Sequence, residues 1–389
     1  MVSNTKNVLF AISDTGGGHR SAATALMAAL SSQNHMKCTL EDFLKATGVP
    51  VLRSAPEIYD YCSRKQLWLN NLFFTKTNSV KRIGLMTRFV FSKAFLRIER
   101  ELDRINPALV VSTHPLVTGL LVAGRKDRRA VWPIVTVVTD LVTIHASWAT
   151  PGADLYLVPT EEAYQSLIRY GIAGSQIVIT GFPVHPKFSC NQLTRAEARR
   201  ALGVDPNRFS VLLTGGGVGA GNMAKWIKEI EKNCHDKQIM VVAGHNKELF
   251  DQLQSVKSRF DSLQVYGFVD NMEVLMAASD IIISKAGPGT IMEAAAMSRP
   301  LIITEAVGIQ ESGNIHYVVN NQLGYFCSDP SEGTHIINNL AERGFDDSNV
   351  RRPPNDGSLR ITSIIERLIA SSPENNNGIF LNTALFRGA

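Results

Sequence analysis

Two glycine triplets, Gly16-Gly17-Gly18 and Gly215-Gly216-Gly217, each follow a short apolar run and each lead into a helical pattern. In the first, Val8, Leu9, Phe10 and Ile12 suit a buried strand, and the alanine-rich stretch after His19 suits a helix. In the second, FSVLLT from Phe209 precedes the glycines and NMAKWI follows them. Glycine admits a positive φ and lets backbone N–H groups approach an anion, and the following helix adds the positive end of its dipole. One phosphate- or sugar-binding turn in each half of the chain predicts two α/β halves facing a central cleft.

The 389 residues exceed what a single core usually organises, and a hydrophobic share of 44% suffices for two. After the first strand, strand-like runs fall at Leu109–Ser112, Ile134–Thr139, Leu155–Pro159 and Ile177–Thr180. In the second half they fall at Val211–Thr214, Ile239–Ala243, Leu263–Tyr266, Ile281–Ser284 and Leu301–Thr304. Their alternation with helical patterns predicts two Rossmann-like, doubly wound parallel sheets. The turn-rich GFPVHPKF, Gly181–Phe188, marks the boundary between a first domain over 1–186 and a second over 187–357. Leu359–Ile369 reads as an amphipathic helix returning to the first domain, and 371–389, with three consecutive asparagines, reads as a tail.

Five cysteines with no CxxC pair argue against a disulfide framework or a zinc cluster and for a reducing compartment. No secretory leader and no run of about 18 apolar residues is visible, so the chain reads as cytoplasmic without a membrane span. Its basic character is confined to one half: residues 1–150 carry 19 Lys and Arg against 10 Asp and Glu, whereas the rest carries 21 against 25. Between positions 61 and 98, eight cations from Arg64 to Arg97 occur with no acid. They are interleaved with Trp68, Leu72, Phe73, Phe74, Leu85, Phe89 and Phe95. Cations mixed with large apolar side chains suit a segment lying on anionic lipid, each contributing about 1 kcal/mol near the surface. The alternative is a pair of helices whose aromatics enter the core. No nucleic-acid motif accompanies the charge, so nucleic acid is not an expected partner.

Two further motifs complete the reading. SKAGPGTIMEAAAMSRP, from Ser284, turns on Gly287-Pro288-Gly289 and starts a helix with Thr290 in its first turn and Glu293 in its second. A diphosphate can sit on the N–H groups of Gly289 and Thr290, and a carboxylate one turn on can accept both hydroxyls of a ribose. GIQESGN, Gly308–Asn314, sets Gln310 and Glu311 at a helix start, where an amide and a carboxylate suit sugar hydroxyls. Singly, each has a plainer explanation: a structural turn, a surface glutamate, a capping pair. A nicotinamide dehydrogenase would show GxGxxG with an acid about 20 residues on, whereas His19 follows the first triplet.

DTGGGHRSAATA at Asp14–Ala25, STHP at Ser112–Pro115, VTDLVTIHASW at Val138–Trp148, GFPVHPKF, TGGGVGAG, SKAGPGTIMEA and QESGNIHYVV occur in one order. Together they resemble the monogalactosyldiacylglycerol synthase family, of the glycosyltransferase family 28 group with the GT-B fold. The resemblance covers roughly residues 6–330. It implies transfer of galactose from UDP-galactose to the sn-3 hydroxyl of 1,2-diacylglycerol with inversion, the first domain holding the acceptor and the second the donor. His19 would be the general base. Gly17, Gly18, His114, Asp140, His145 and Trp148 would lie on the acceptor side. Gly216, Gly217, Gly287, Gly289 and Thr290 would surround the diphosphate, Glu293 would grip the ribose, and Gln310 and Glu311 would read the hexose.

The segment 61–98 falls where the family carries its membrane-binding region, which implies peripheral attachment to anionic lipid. No Asp-x-Asp motif is present, and the resemblance implies neither an obligatory metal nor any other cofactor. Two positions depart from the family: Gly308-Ile309 stand where Pro-Gly usually precedes Gln-Glu, and Val218 stands where a polar residue is common. The first leaves UDP-glucose open as the donor. A non-catalytic sugar-nucleotide or lipid sensor is the alternative from another class.

Overall fold

A computed structural model describes residues 5–15, 17–31, 36–54, 66–91, 94–126, 132–216, 222–260 and 262–371. The chain divides into two compact units, Met1–Pro186 with Pro354–Ala389, and Lys187–Pro353. The expected tail lies outside the described residues except for Ser371, and so do Gly16, Gly217, Val218 and residues 61–65, 92 and 93 of the basic segment.

The first unit holds six strands: β1 Lys6–Ile12, β2 Met36–Asp42, β3 Leu109–Ser112, β4 Ile134–Val137, β5 Leu155–Val158 and β6 Ile177–Ile179. They form one parallel sheet in the order β2-β1-β3-β4-β5-β6. Its inner strands read as unbroken apolar runs because both faces are covered. Along β1 the period of two is plain: Leu9 and Ala11 enter one core, Val8, Phe10 and Ile12 the other. The second of these cores is closed by two helices, Gly18–Leu30 and Gly357–Ser371. The latter brings Ile361, Ile364, Ile365, Leu368 and Ile369, a stripe at helical spacing, under the sheet. Ser358 Oγ fixes its start by donating to the Val184 carbonyl at 2.6 Å.

The second unit holds β7 Phe209–Thr214, β8 Lys237–Val242, β9 Leu263–Tyr266, β10 Ile281–Ser284, β11 Leu301–Ile303 and β12 Gly324–Phe326. Its parallel sheet runs β9-β8-β7-β10-β11-β12, the dinucleotide-fold order. Strand order reverses between β1 and β3 in the first unit and between β7 and β10 in the second. Open α/β sheets bind ligands beyond the carboxyl ends of the strands at such points. Both glycine triplets follow strands that flank them.

The sequence reading finds ten of these strands and misses β2 and β12, one edge strand of each sheet. No residue of β2 or β12 is buried, so their apolar signal is weak, whereas the edge strands β6 and β9 bury Ile177, and Leu263 with Val265. The basic segment forms helices at Leu67–Thr77, Val80–Phe91 and Phe95–Ile105. The first has no buried residue, and Trp68 and Phe73 are 65% and 56% exposed, so these two rings do not enter the core. Among the described residues no helix is long and apolar enough to cross a membrane.

Candidate functional site

In the first unit the turn after β1 ends at Gly17, whose φ of 76° needs glycine, and the helix Gly18–Leu30 starts there without a side-chain cap. Among the described residues nothing lies within 4 Å of where a Cβ would stand on Gly17 or Gly18, so they leave the space over this turn open. Asp14, just before it, is bound by Arg20 Nε and Nη2 at 2.6 and 2.9 Å and by Lys45 at 3.2 Å. The Arg20 guanidinium and Lys45 hold that carboxyl below its ordinary range against the opposing cost of burial. These contacts pin the loop onto its own helix and onto the chain after β2.

His19 is half-buried at the head of that helix. Its Nδ1 lies 2.6 Å from the Thr113 carbonyl oxygen and 3.2 Å from Thr139 Oγ1. A carbonyl only accepts, so Nδ1 carries the proton and Nε2 keeps its lone pair. Burial pushes the pKa down to about 4, partly countered by the Thr113 carbonyl, so the ring is neutral at physiological pH. Thr113 Oγ1 in turn donates to the His19 carbonyl at 2.9 Å, so helix and strand end grip each other twice.

His114 packs edge-on to His19 with ring centroids 4.5 Å apart, and its Nε2 meets Thr15 Oγ1 at 2.9 Å. Its Nδ1 is buried with no partner among the described residues. Burial first and the neighbouring His19 second keep its pKa well below the ordinary value. His114 is therefore a neutral ring set behind His19.

Beyond β4, Trp148 is 1% exposed, its centroid 6.0 Å from that of His19, and its Nε1 donates to Asp140 Oδ2 at 2.6 Å. Trp148 is thus both core and strut, fixing the Asp140 carboxylate at the end of the strand next to that bearing His114. His145 does other work. Its Nε2 donates to the Phe74 carbonyl at 3.2 Å, with Thr77 Oγ1 also at 3.2 Å. Its Nδ1 accepts from the Ser147 N–H at 3.2 Å. Both nitrogens are used, and the ring clasps the exposed helix Leu67–Thr77 to the loop that carries Asp140 and Trp148. Burial lowers its pKa against the Phe74 carbonyl, so this clasp is neutral as well.

In the second unit two turns meet at the reversal point. Gly216 follows β7 with φ 70°, and its N–H donates to Thr214 Oγ1 at 3.3 Å. After β10, Gly287 precedes the helix Pro288–Ala296, whose first turn has no side-chain cap. Pro288 has no N–H to lose, and Ile291 makes the first backbone bond, to Gly287 at 3.1 Å. The N–H groups of Gly289 and Thr290 therefore have no intrahelical acceptor and point along the helix dipole. Among the described residues the space over Gly289 is open to 4 Å.

Glu293, one turn on, lies deep enough that burial pushes its carboxyl up to about 7, with Lys187 pulling down and Glu273 pushing up. Lys187 itself is paired with Glu273 at 2.8 Å. Gln310 and Glu311 occupy the first turn of the helix Ile309–Asn320, entered through Gly308 at φ 80°. Glu311 is buried, and both its oxygens are engaged: Oε1 accepts from Lys285 Nζ at 2.5 Å and Oε2 from the Val307 N–H at 2.9 Å.

The structure therefore gathers Gly17, Gly18, His19, His114, Asp140 and Trp148 about one reversal point and sets His145 to one side. It gathers Gly216, Gly287, Gly289 and Thr290 about the other. Sequence reading misses Thr15, Thr113 and Thr139, which orient the histidine pair, and Lys285, which meets Glu311. Thr113 and Lys285 share a signal that was available: each stands next to the last residue of a central strand, where ligand-facing groups collect.

Residues 19–184 match the monogalactosyldiacylglycerol (MGDG) synthase family, and residues 210–322 match the glycosyltransferase family 28 C-terminal domain. Monogalactosyldiacylglycerol synthase 2, chloroplastic, of Arabidopsis thaliana is 33% identical over 346 residues, covering 86% of this chain and 73% of that protein. Among solved structures, UDP-GlcNAc 2-epimerase from Neisseria meningitidis, bound to UDP-GlcNAc, superposes with a TM-score of 0.61 at 15% identity, covering 93% of this chain and 100% of that one. MurG of Acinetobacter baumannii does so at 0.60 and 14%, covering 93% and 99%. At such identities the structural likeness speaks for the fold, which is GT-B, and the sequence relationship speaks for the family. The chain belongs to the monogalactosyldiacylglycerol synthase family and is a glycosyltransferase.

Proposed function

We propose that the protein makes a galactolipid, transferring galactose from UDP-galactose to the sn-3 hydroxyl of 1,2-diacylglycerol with inversion. The observation that carries this is the tautomer of His19: with Nδ1–H committed to the Thr113 carbonyl, Nε2 is left as a base at the open turn over Gly17 and Gly18. Nε2 takes the proton of the acceptor hydroxyl as its oxygen attacks the anomeric carbon of the donor. The bond from that carbon to the β-phosphate oxygen breaks, and UDP leaves with the electron pair. Attack opposite the leaving group turns an α-donor into a β-glycoside. His114, Asp140 and Trp148 shape the acceptor side of the base.

The second unit would hold the donor. Gly289 and Thr290 present backbone N–H groups to the diphosphate, where negative charge grows as UDP departs, and Gly216 and Gly287 line the space around it. Glu293 is placed one turn on for the ribose hydroxyls, and Gln310 with Glu311 for the hexose. No metal or other cofactor enters this reading, and transfer is expected to survive a chelator.

A peripheral membrane position on the cytoplasmic side follows from the same reading. The acceptor hydroxyl sits at headgroup level in a bilayer, and the helix Leu67–Thr77 offers Trp68, Leu72 and Phe73 to the outside, with Lys76, Lys81 and Arg82 nearby. Anionic lipid is the expected partner surface.

Labelled UDP-galactose and, separately, UDP-glucose offered with diacylglycerol vesicles containing anionic lipid test the proposal, with NMR assigning the anomer. A β-galactosyl lipid supports it. A glucosyl lipid keeps the base and moves specificity to the loop at Gly308-Ile309, where the chain departs from the family. No transfer from either donor, with both still bound, leaves a sensor.

A further inference from the structure

We infer that Lys285 is a diphosphate-binding cation of the donor site and that Glu311 acts through it as a positioning residue. The inference rests on the nucleotide-sugar reading above and assigns two of its charges. Lys285 immediately follows β10 at the strand-order reversal, between the turn after β7 and the turn before the helix Pro288–Ala296. Its Cε stands 3.4 Å from where a Cβ on Gly216 would be, and its Nζ stands 3.1 Å from where a Cβ on Gly287 would be. The side chain therefore fills the space that both glycines leave vacant. A phosphate brought to the N–H groups of one turn comes within reach of the same ammonium.

The burial of this ammonium calls for an explanation. The Lys285 side chain is 16% exposed and that of Glu311 9%, and they meet at 2.5 Å. A buried ion pair seldom stabilises a fold more than well-packed apolar residues would, because desolvation cancels the attraction. Glu311 uses one of the three ammonium donors, which leaves a cation aimed and still able to donate. Glu311 is itself held, its other oxygen accepting the Val307 N–H at 2.9 Å. Glu305 stands in the same group: burial and Glu311 push its carboxyl up, and Lys285 pulls it down.

Glu311 thus has a second role beside that of reading the hexose. It fixes the direction of the Lys285 ammonium, and Gln310, its neighbour in the same helical turn, keeps the hexose role of the reading above. A lysine so held would bind the diphosphate in the ground state and favour it further as charge builds on the leaving group.

Equilibrium binding of UDP and of uridine to the full-length protein tests this, with Lys285→Met, Lys285→Arg, Glu311→Gln and the double variant Lys285→Met/Glu311→Gln. A hydrogen bond to a charged group is worth about 1.5–3 kcal/mol, so Lys285→Met is expected to weaken UDP binding about 10- to 150-fold. Uridine, which lacks phosphate, should change by less than about 2-fold, since its base and ribose contacts are untouched. Lys285→Arg should recover part of the loss. Glu311→Gln should weaken UDP alone and by less, and the double variant, which leaves no unpaired buried charge, should match Lys285→Met while keeping the native melting transition. UDP affinity retained in both Lys285→Met and the double variant would overturn the inference, as would parallel loss of UDP and uridine in the double variant. Absence of UDP binding by the unaltered protein would remove the donor reading itself and this inference with it.

Discussion

The two units place the same device, a parallel strand, a glycine turn and a helix, at the same topological point, and furnish it for opposite chemistry. At the reversal point of the first unit stand two neutral imidazoles, three threonines and a Trp–Asp pair. At that of the second stand uncapped N–H groups and a buried Lys–Glu pair. The first suits the handling of a proton, since burial keeps His19 neutral and the Thr113 carbonyl decides which nitrogen is free. The second suits the holding of an anion. The backbone thus sets where a ligand goes, and the side chains at the strand ends set what it undergoes.

The sharpest way to break this division is at the base. His19→Ala should lower kcat by about 10²–10⁴-fold, the range for loss of a general base, with UDP affinity unchanged. Full transfer activity in that variant, measured on diacylglycerol vesicles, would sink the assignment of proton chemistry to the first unit. Because the His19 pKa lies at about 4, the rate limb set by this base should appear near there and not at the ordinary 6.5.

Next in size is a packing change confined to one unit. Ile365→Ala empties a fully buried site beneath the first sheet and should cost about 2–5 kcal/mol. Denaturant unfolding followed by tryptophan fluorescence should show the change in the transition reported by Trp148. If the Trp226 transition moves equally, the two units do not unfold separately. Trp226 is buried in the core of the second unit.

A smaller effect, with an informative sign, is expected at Glu293. Its folded pKa of about 7 exceeds the ordinary 4.5, so the stability linked to this group is full below 4.5 and is lost as pH rises through 7. Glu293→Gln should therefore melt higher than the unaltered protein in alkaline solution and no higher in acid. The same substitution should weaken the donor about tenfold above the transition, because only the carboxylate accepts both ribose hydroxyls without a proton to place. Donor KM in the unaltered protein should rise as pH falls through 7, and a flat donor profile would detach Glu293 from the ribose.

The smallest expected change is at the surface helix. Trp68→Ser with Phe73→Ser should reduce association with anionic vesicles several-fold, leaving transfer to a short-chain soluble acceptor intact. Association should also weaken with salt, since exposed charges are screened beyond about 8–10 Å. Vesicle binding indifferent to both would show that these rings serve another contact.

Much of this was legible in the chain. Strands β1, β3, β4, β7, β8 and β10 are strongly apolar because sheets covered on both faces leave few positions for polar residues, and such runs stand out in any reading. Strands β2 and β12 were not legible, since neither buries a residue and their apolar pattern fades. His19, Gly289 and Glu293 could be found because local geometry, a turn followed by a helix of known pitch, fixes their spacing. Thr113, Thr139 and Lys285 could not be assigned partners that way. His19 and Thr113 are 94 residues apart, and Lys285 and Glu311 are 26 apart.

By itself the sequence determined the two α/β halves, the family and the residues that local turns and helices present together, because these depend on short-range periodicity and on motifs in fixed order. Only the tertiary structure decided the His19 tautomer, the clasp of His145 on the surface helix and the pairing of Glu311 with Lys285. Each is a hydrogen bond between chain segments brought together by the packing of separate elements, and no local rule of pitch or turn fixes such a meeting.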